Sequence, residues 1–347
     1  MKLIYVFFFF CIINQTYGQQ KELELIHNCQ GRLSGFATVK VIDKRDSSGK
    51  QMIGIVQKGA LNKPVKVVFN GELTDSLAAF FIDQSANSNP LPLVLILNEL
   101  FISEAIDNMT EIGRFRLSLR LFIGKQSDQY SEIVAIDSLY TVKGLDVTKK
   151  LLRSISEQFC KISQLAAEKQ PILDTDAEKY TFKQLHYLDS LEKMKLPMYQ
   201  TDHPSVGLYK NYKEFKQNTP GVTAELSIEE RKNGFRVYIW DEKRKNKTKL
   251  PSTGLYAVSD GTTLLRATPL GFFKILKKGG DFYYWRPQVN KSHHSLVPAA
   301  YMYGALGGLV YGLIEAASAG NNKWLLQKIN YRKGSAAPVS WTTAKEN

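Results

Sequence analysis

The sequence predicts an α+β protein: an N-terminal α/β sandwich followed by a partly barrel-like β-meander with a Gly-rich apolar helical segment. Three observations predict this class. Several stretches alternate apolar and polar residues, as strands with one buried face do. Two longer stretches repeat apolar residues every three and four positions, which is typical of amphipathic helices. In the C-terminal part, glycine-containing turn segments recur at short intervals, which indicates antiparallel hairpins.

The first 18 residues have the pattern of a secretory signal peptide. Lys2 precedes an apolar run from Leu3 to Ile13, and a polar stretch then leads to Gly18. A basic start, an apolar core and small residues at the cleavage point mark such a signal. The run is shorter than the roughly 20 apolar residues that a membrane-spanning helix needs. We therefore expect cleavage before Gln19 and export to the periplasm or cell surface.

Residues 19–168 make up the predicted sandwich domain. Strands are expected at 36–42, 52–56, 65–69, 93–103, 113–123 and 130–142. The strand at 113–123 alternates most cleanly, with phenylalanine and leucine on one side and mainly arginine on the other. Arg114, Arg116 and Arg120 lie on this polar side, where we expect them either to face solvent, which is the favoured interpretation, or to add a second basic strip.

Two amphipathic helices are predicted in the same domain. The first has Thr74 as its cap and runs to about Gln84, and the second begins at Asp146. Their apolar faces consist of Leu73, Leu77, Phe80 and Phe81 in the first helix and of Leu151, Ile155, Phe159, Ile162 and Leu165 in the second. Two such helices beside a sheet with one polar face make an α+β sandwich.

Two short motifs and the order of elements suggest a family. Asp43 and Arg45 form an Asp-x-Arg turn, Ile53-Gly54 an Ile-Gly pair, and a helix, three strands and a closing helix follow. This pattern, over roughly residues 33–167, resembles the small envelope lipoprotein domains of Gram-negative bacteria. They include auxiliary lipoproteins of lipid-transport systems and activators of peptidoglycan synthases. The resemblance implies an α+β envelope domain, but the cysteine to which those families attach lipid is missing here.

Cys29 and Cys160 are the two cysteines outside the predicted signal. An oxidising compartment permits a disulfide between them. Cys160 lies on the apolar face of a predicted helix, where a buried free thiol is the commoner arrangement. The sequence leaves the pairing open and favours the free thiol.

Residues 169–206 are predicted to be a connector, and residues 207–347 a second domain that opens with a distinctive motif. The motif is Gly-x-Tyr-x-x-Tyr-x-x-Phe-x-x-Asn-x-Pro, from Gly207 to Pro220. It resembles a motif of uncharacterised secreted bacterial proteins, which implies a compartment but no activity. Tyr209, Tyr212 and Phe215 lie three positions apart, so we expect them on one side of a short helix.

The second domain is predicted to be a β-meander. Its hairpins are expected at 225–231 with 235–241 around Asn233-Gly234, at 255–258 with 262–266, and at 272–276 with 282–285. Asn-Gly between alternating apolar residues is the strongest short-range hairpin signal. A last strand is expected at 324–332.

A Gly-rich apolar segment at 295–318 interrupts the meander, and its first 20 residues carry no formal charge. Gly304, Gly308 and Gly312 recur every fourth residue, which on a helix creates a groove for close backbone packing. Each glycine inside a helix in water costs about 1 kcal/mol relative to alanine. Three interpretations stay open: a helix packed within the fold, a membrane-inserted segment, or a face for homo-oligomerisation.

The chain has a net charge of +13. Export argues against nucleic acid as the partner and favours anionic lipids or glycans. The densest cluster of cations is formed by Lys243, Arg244, Lys245, Lys247 and Lys249. We expect this cluster either to contact an anionic surface or to be a solvated loop.

Motifs of catalysis are missing from the sequence. It contains no Gly-x-Ser-x-Gly elbow, His-Glu-x-x-His helix or phosphate-binding glycine loop. His293-His294 has no orienting carboxylate nearby in sequence, and Asp202-His203 with Ser205 lies in a proline-containing loop. We therefore predict no catalytic residues, no metal and no cofactor.

The sequence thus predicts an exported, non-enzymatic cell-envelope protein that acts by binding or scaffolding. Its expected partner is an envelope protein or an anionic membrane or glycan surface. Two alternatives stay open. One is a hydrolase of cell-wall or glycan substrates with an unrecognised site, and the other is a glycine-zipper membrane anchor or channel component.

Overall fold

The computed structural model describes residues 20–25, 29, 36, 38–45, 51–58, 63–82, 91–107, 110–124, 128–169, 178–241, 245–287 and 324–338. The predicted signal peptide, the Gly-rich segment 295–318, and Lys243 and Arg244 lie outside the described residues. Helices and extended sheets both occur within the described ranges, so the α+β class is confirmed.

The first sheet is built from the N-terminal half of the chain. Its elements are β1 (Gln20–Leu23), β2 (Thr38–Asp43), β3 (Met52–Lys58), β4 (Lys63–Phe69), α1 (Leu73–Phe81), β5 (Pro92–Asp107), β6 (Thr110–Gly124), β7 (Tyr130–Gly144) and α2 (Thr148–Lys169). The strand order is β1-β4-β3-β5-β6-β7, and β2 also pairs with β5. Helices α1 and α2 bury their apolar faces against one side of this sheet.

The two predicted helices lie where the periodicity places them. Leu73, Leu77, Phe80 and Phe81 are all buried in α1, as predicted. The predicted cap was wrong, because the N-cap is Glu72 without a side-chain hydrogen bond and Thr74 lies inside the helix. In α2, the predicted apolar face is buried in the same core, and Leu165 packs against it half-buried.

A chain of short elements covers part of the other side of the first sheet. These are β8 (Lys179–Tyr180), which pairs with β7, then α3 (Phe182–His186), α4 (Leu188–Lys193) and α5 (Pro197–Gln200). Tyr180, Leu185 and Leu188 pack with Phe122 of β6 in a second apolar cluster. The predicted connector is therefore an ordered layer on the sheet from residue 178 onward.

The second sheet is built from the C-terminal half of the chain. Its elements are β9 (Gly207–Tyr209), α6 (Tyr212–Lys216), β10 (Leu226–Arg231), β11 (Gly234–Asp241), β12 (Asn246–Lys249), β13 (Ala257–Ser259), β14 (Leu264–Thr268), β15 (Gly271–Lys278), β16 (Asp281–Pro287), β17 (Trp324–Ile329) and β18 (Ala336–Pro338). The order is β18-β17-β16-β15-β14-β13-β9, and β11 pairs with β10, β12 and β15. One apolar cluster lies on each side of this sheet.

The predicted hairpins all form, but one turn is shifted. Arg231 pairs with Gly234, so Lys232 and Asn233 make the turn and Gly234 belongs to β11. Gly234 has φ +137, and a Cβ there would lie 2.8 Å from the Phe272 carbonyl oxygen. The glycine is therefore needed where β11 crosses close to β15, rather than in the turn itself.

Candidate functional site: the basic aromatic face of strands β10 to β12

The part of the predicted cationic cluster that the structure describes lies on β12 and the turn before it. Lys245 occupies the turn with φ +49, and Lys247 and Lys249 lie on the strand. All three lysines are exposed. Their positions are compatible with contact to an anionic surface.

Strand register places two aromatic residues beside these lysines. Lys249 pairs with Tyr238, and Lys247 pairs with Trp240. Paired residues of neighbouring strands project their side chains on the same side of a sheet. Tyr238 is half-buried, whereas Trp240 is 47% exposed and belongs to the few large apolar side chains that face solvent among the described residues.

The opposite side of β11 holds these strands in place. Phe235, Val237 and Ile239 alternate with the exposed residues and pack into an apolar cluster with Val258 and Leu265 of the second sheet. Val237 is completely buried. Because residues alternate strictly along a strand, burial of this side directs Tyr238 and Trp240 outward.

We call the outward side the basic aromatic face; its residues are Ser227, Glu229, Arg231, Arg236, Tyr238, Trp240, Lys247 and Lys249. Glu229 forms an ion pair with Arg231, and the Lys247 ammonium donates to Ser227 Oγ at 3.3 Å. Among the residues that the structure describes, Arg236 and Lys249 have no carboxylate within ion-pair distance. The face therefore keeps an excess of positive charge.

The arginines of β6 do not form a second exposed basic strip. Arg114 and Arg120 are 4% and 3% exposed, so the prediction that they face solvent was wrong. Arg120 forms ion pairs with Glu132 of β7 and Glu192 of α4. Burial opposes the charged guanidinium, yet these carboxylates raise the pKa of Arg120. The physical reason at Arg120 is that the layer from β8 to α4 lies over this part of the sheet and supplies Glu192 as a partner.

Hydrogen bonds and ion pairs also join this layer to the second sheet. The Tyr331 hydroxyl lies 2.9 Å from Asp189 Oδ1 and 2.7 Å from Glu192 Oε2 of α4. Asp281 of β16 pairs with Lys193 of α4 and with Lys328 of β17. Burial opposes the charged form of Lys328, but the hydrogen bond to Asp281 and the nearby negative charges together outweigh burial and raise the pKa of Lys328. These charged groups have their partners within the protein, which indicates a structural role.

Arg116 and Lys333 extend this junction between the two sheets. Arg116 of β6 pairs with Glu99 at 3.1 Å and with Asp137 of β7. Lys333, which follows β17, pairs with the same Asp137 at 2.6 Å. Asp137 is thus shared by Arg116 of the first sheet and by Lys333 of the second, which links the two sheets at this point.

The motif that begins at Gly207 forms part of the core rather than a binding site. Tyr209 is completely buried, and its hydroxyl lies 2.8 Å from the Ser205 carbonyl and 2.8 Å from Asn218 Oδ1, to which it donates. Phe215 is completely buried as well. Asn218 has φ +54, a conformation that asparagine adopts more readily than most residues.

The prediction that the three aromatic residues of this motif share one helix was partly wrong. Tyr212 and Phe215 belong to α6, but Tyr209 belongs to β9. All three still converge, because the Tyr209 and Phe215 ring centroids are 5.9 Å apart and so are those of Tyr212 and Phe215. The motif therefore specifies a strand-turn-helix unit with an aromatic interior.

Burial raises the pKa of several tyrosines in this core above the ordinary value. For Tyr212 the pKa rises to about 12. The same cause and direction apply to Tyr199, Tyr209, Tyr256 and Tyr331. Burial disfavours the phenolate, so these hydroxyls keep their protons in the folded state at pH values where the unfolded chain has lost them.

We therefore expect the protein to lose stability at alkaline pH. Below about pH 10 both states hold the tyrosine protons, and above it the unfolded state binds fewer protons than the native state. The free energy of unfolding should fall by up to about 1.4 kcal/mol per pH unit for each such tyrosine. Denaturant unfolding from about pH 8 to 12 measures this. Tyr212→Phe should reduce the slope, and a constant free energy over this range would contradict the account.

Cys29 and Cys160 form a disulfide with a Cα–Cα distance of 5.4 Å. The favoured expectation of a free thiol at Cys160 was therefore wrong. Cys160 does lie on the apolar face of α2, as predicted, but the segment after β1 brings Cys29 against the same core. The bridge closes a loop with a sequence separation of 131.

The structure does not bring Asp202, His203 and Ser205 together as a catalytic group. Asp202 pairs with Lys277 at 3.1 Å, and the Ser205 amide donates to Asn218. The contacts of His203 run through its backbone to Thr201. His293 and His294 lie outside the described residues, as do Gly304, Gly308 and Gly312.

Neither a membrane-spanning helix nor a metal site occurs within the described ranges. No helix there is both long and apolar enough to cross a membrane. Within the same ranges, no three His, Cys, Asp or Glu side chains gather into a potential metal site.

No family model matches the chain, and no curated protein matches it. It is similar to a crystal structure of a Xanthomonas campestris protein of the DUF330 family, with 8% identity and a TM-score of 0.26. The similarity covers 44% of this chain and 94% of that protein. At this TM-score it supports no argument about fold or function.

Proposed function

We propose that this chain is an exported, non-enzymatic protein of the cell envelope that acts by binding or scaffolding. The observation that carries the proposal is the disulfide between Cys29 and Cys160. Structural disulfides persist in oxidising compartments such as the periplasm and cell surface, and they are rare in the cytosol. The predicted signal peptide at residues 1–18 leads to the same compartment.

We further propose two domains, an α+β sandwich at 19–168 and a β-meander at 207–347, joined by the connector 169–206. The ordered layer from β8 to α5 supports a connector that holds both domains, because its ion pairs reach each sheet. Gly304, Gly308 and Gly312 are proposed to pack closely against a membrane or a partner. The cluster from Lys243 to Lys249 is proposed to contact an anionic surface, in keeping with the exposure of its described lysines.

Production of the full chain in a bacterial host tests the export. We expect the protein outside the cytosol, with a mature N-terminus at Gln19 by intact mass, because the signal is removed on translocation. Phe8→Arg places a charge in the apolar core of the signal and should leave the protein in the cytosol with residues 1–18 attached. Wild-type protein found in the cytosol with its first 18 residues intact would contradict the proposal.

A further inference from the structure

The basic aromatic face combines two kinds of side chain in parallel rows. Tyr238 and Trp240 lie two positions apart on β11, a spacing of about 7 Å along a strand. Lys249 and Lys247 lie directly opposite them on β12, with the same spacing. Paired positions on neighbouring strands have Cβ atoms about 5 Å apart, so each ring has an ammonium group within reach.

Trp240 is exposed and Tyr238 beside it is half-buried, so both rings present surface to solvent on this face. A solvated lysine loop needs no aromatic residues, and a large aromatic side chain exposed on a sheet loses the free energy that burial would provide. Aromatic residues with one polar edge are typical of binding surfaces, where they give large contact area at low entropy cost. A ligand that fits this face therefore alternates apolar surface with negative charge. Its apolar surface would contact Tyr238 and Trp240, and its negative charges would contact Lys249 and Lys247.

We propose that the basic aromatic face binds a linear acidic polysaccharide, a chain of sugars that carry carboxylates; this inference rests on the proposed binding function in the envelope. The C–H face of a sugar ring packs on an aromatic ring, and its carboxylate accepts hydrogen bonds from an ammonium group. A chain that runs along β11 places successive sugars over Tyr238 and Trp240 and their acid groups beside Lys249 and Lys247.

A lipid surface fits this face less well. Side chains that insert into a bilayer project from a loop tip or from an amphipathic helix, whose apolar side enters about 5–10 Å into the lipid. Tyr238 and Trp240 instead lie on the middle strand of three, with β10 and β12 on either side. Glu229 and Arg236 lie on the same face of the sheet as the two rings, so insertion of the rings into lipid would also bury the charges of these two residues.

Isothermal titration of the purified protein with oligogalacturonate, at physiological ionic strength, tests the inference. Trp240→Ala removes the main stacking surface without changing the charge, and we expect affinity to fall at least tenfold. Lys247→Glu with Lys249→Glu should have an effect of similar size. Each variant is compared with a control of the same chemistry elsewhere: Tyr187→Ala, which removes an exposed aromatic side chain, and Lys149→Glu with Lys150→Glu, which changes the charge equally. Both controls should bind within twofold of wild type.

Three outcomes would overturn the inference. Equal loss in the two lysine pairs, with Trp240→Ala unchanged, would indicate general attraction of a polyanion to a basic protein. Binding to phosphatidylglycerol vesicles without binding to oligogalacturonate would indicate a membrane surface. Absence of binding to both probes by folded wild-type protein would remove the site. Since the titration uses purified protein, a cytosolic location would contradict the proposed export while a positive titration still supports the glycan site.

Discussion

Replacement of both cysteines by alanine is expected to lower the free energy of unfolding by about 5 kcal/mol, the size that chain entropy gives for a closed loop of this length. Cys29 and Cys160 are separated by 131 positions, so the bridge excludes a large set of extended conformations from the unfolded ensemble. It also ties the segment after β1 to α2, and β1 is an edge strand that pairs only with β4 among the described strands.

Denaturant unfolding with and without reductant measures this effect. Reduced wild type and the double variant should unfold at the same denaturant concentration, well below oxidised wild type. Cys29→Ala and Cys160→Ala alone should each match the double variant, because either change breaks the same bond. Two titratable free thiols in the unreduced native protein, together with a midpoint that is insensitive to reductant, would contradict the prediction.

Strands β2 to β7 of the first sheet could be predicted from the sequence because their signals are local, whereas β1 and β8 were not predicted. In β6 the alternation of Phe115 and Leu117 with arginines assigns one side of the strand to the core. In α1 and α2 the apolar residues recur every three or four positions, which assigns one face of each helix to the core. Each signal spans a few residues, and burial of one side follows directly from it.

The same alternation could not predict what covers the polar side of β6. Arg120 is buried because Glu192 and the layer from β8 to α4 lie over it, and this layer comes some 60 residues later in the chain. A polar residue on a strand can be buried wherever a carboxylate partner is supplied. The disulfide could not be predicted for the same reason, since no residue near Cys160 in the sequence indicates the approach of Cys29.

The candidate site was predicted only in part, for a related reason. Its lysines are contiguous in sequence and visible as a cluster, whereas the aromatic residues join them through strand register. The alternation of Arg236, Tyr238 and Trp240 was available in the sequence. Trp240 lies opposite Lys247 because of the register between β11 and β12. This register depends on the conformation of the turn that joins the two strands, and the sequence alone does not define it.

Gly334 lies against the aromatic core of the second sheet, and we expect its replacement by alanine to have a large effect on stability. This glycine has φ +74, and a Cβ there would lie 2.2 Å from Tyr212 Cγ. Tyr212 has little freedom to move, because its ring packs against Phe215 and Tyr256 and its hydroxyl donates to the Tyr331 carbonyl. The Gly334 backbone is held as well, by hydrogen bonds with the Asn330 carbonyl at 2.7 Å and the Tyr256 hydroxyl at 2.8 Å.

We therefore expect Gly334→Ala to cost about 2–5 kcal/mol, the sum of a left-handed backbone penalty and of overpacking in the core. Gly254 is the matched control, because it has φ +79 and open space around the position of a Cβ. Gly254→Ala should cost only the backbone term, about 1–2 kcal/mol. Denaturant unfolding of both variants gives the difference between them.

A double-mutant cycle assigns that difference to Tyr212. In a Tyr212→Gly background the overlapping Cβ, Cγ and Cδ2 atoms are all gone, so Gly334→Ala should cost no more than Gly254→Ala does in the wild type. The same cost in both backgrounds would contradict the account and place the effect in the backbone alone. Agreement would mean that the tyrosine of α6 requires a glycine more than 100 positions later in the chain, so α6 and the turn between β17 and β18 fit together only with glycine at this position.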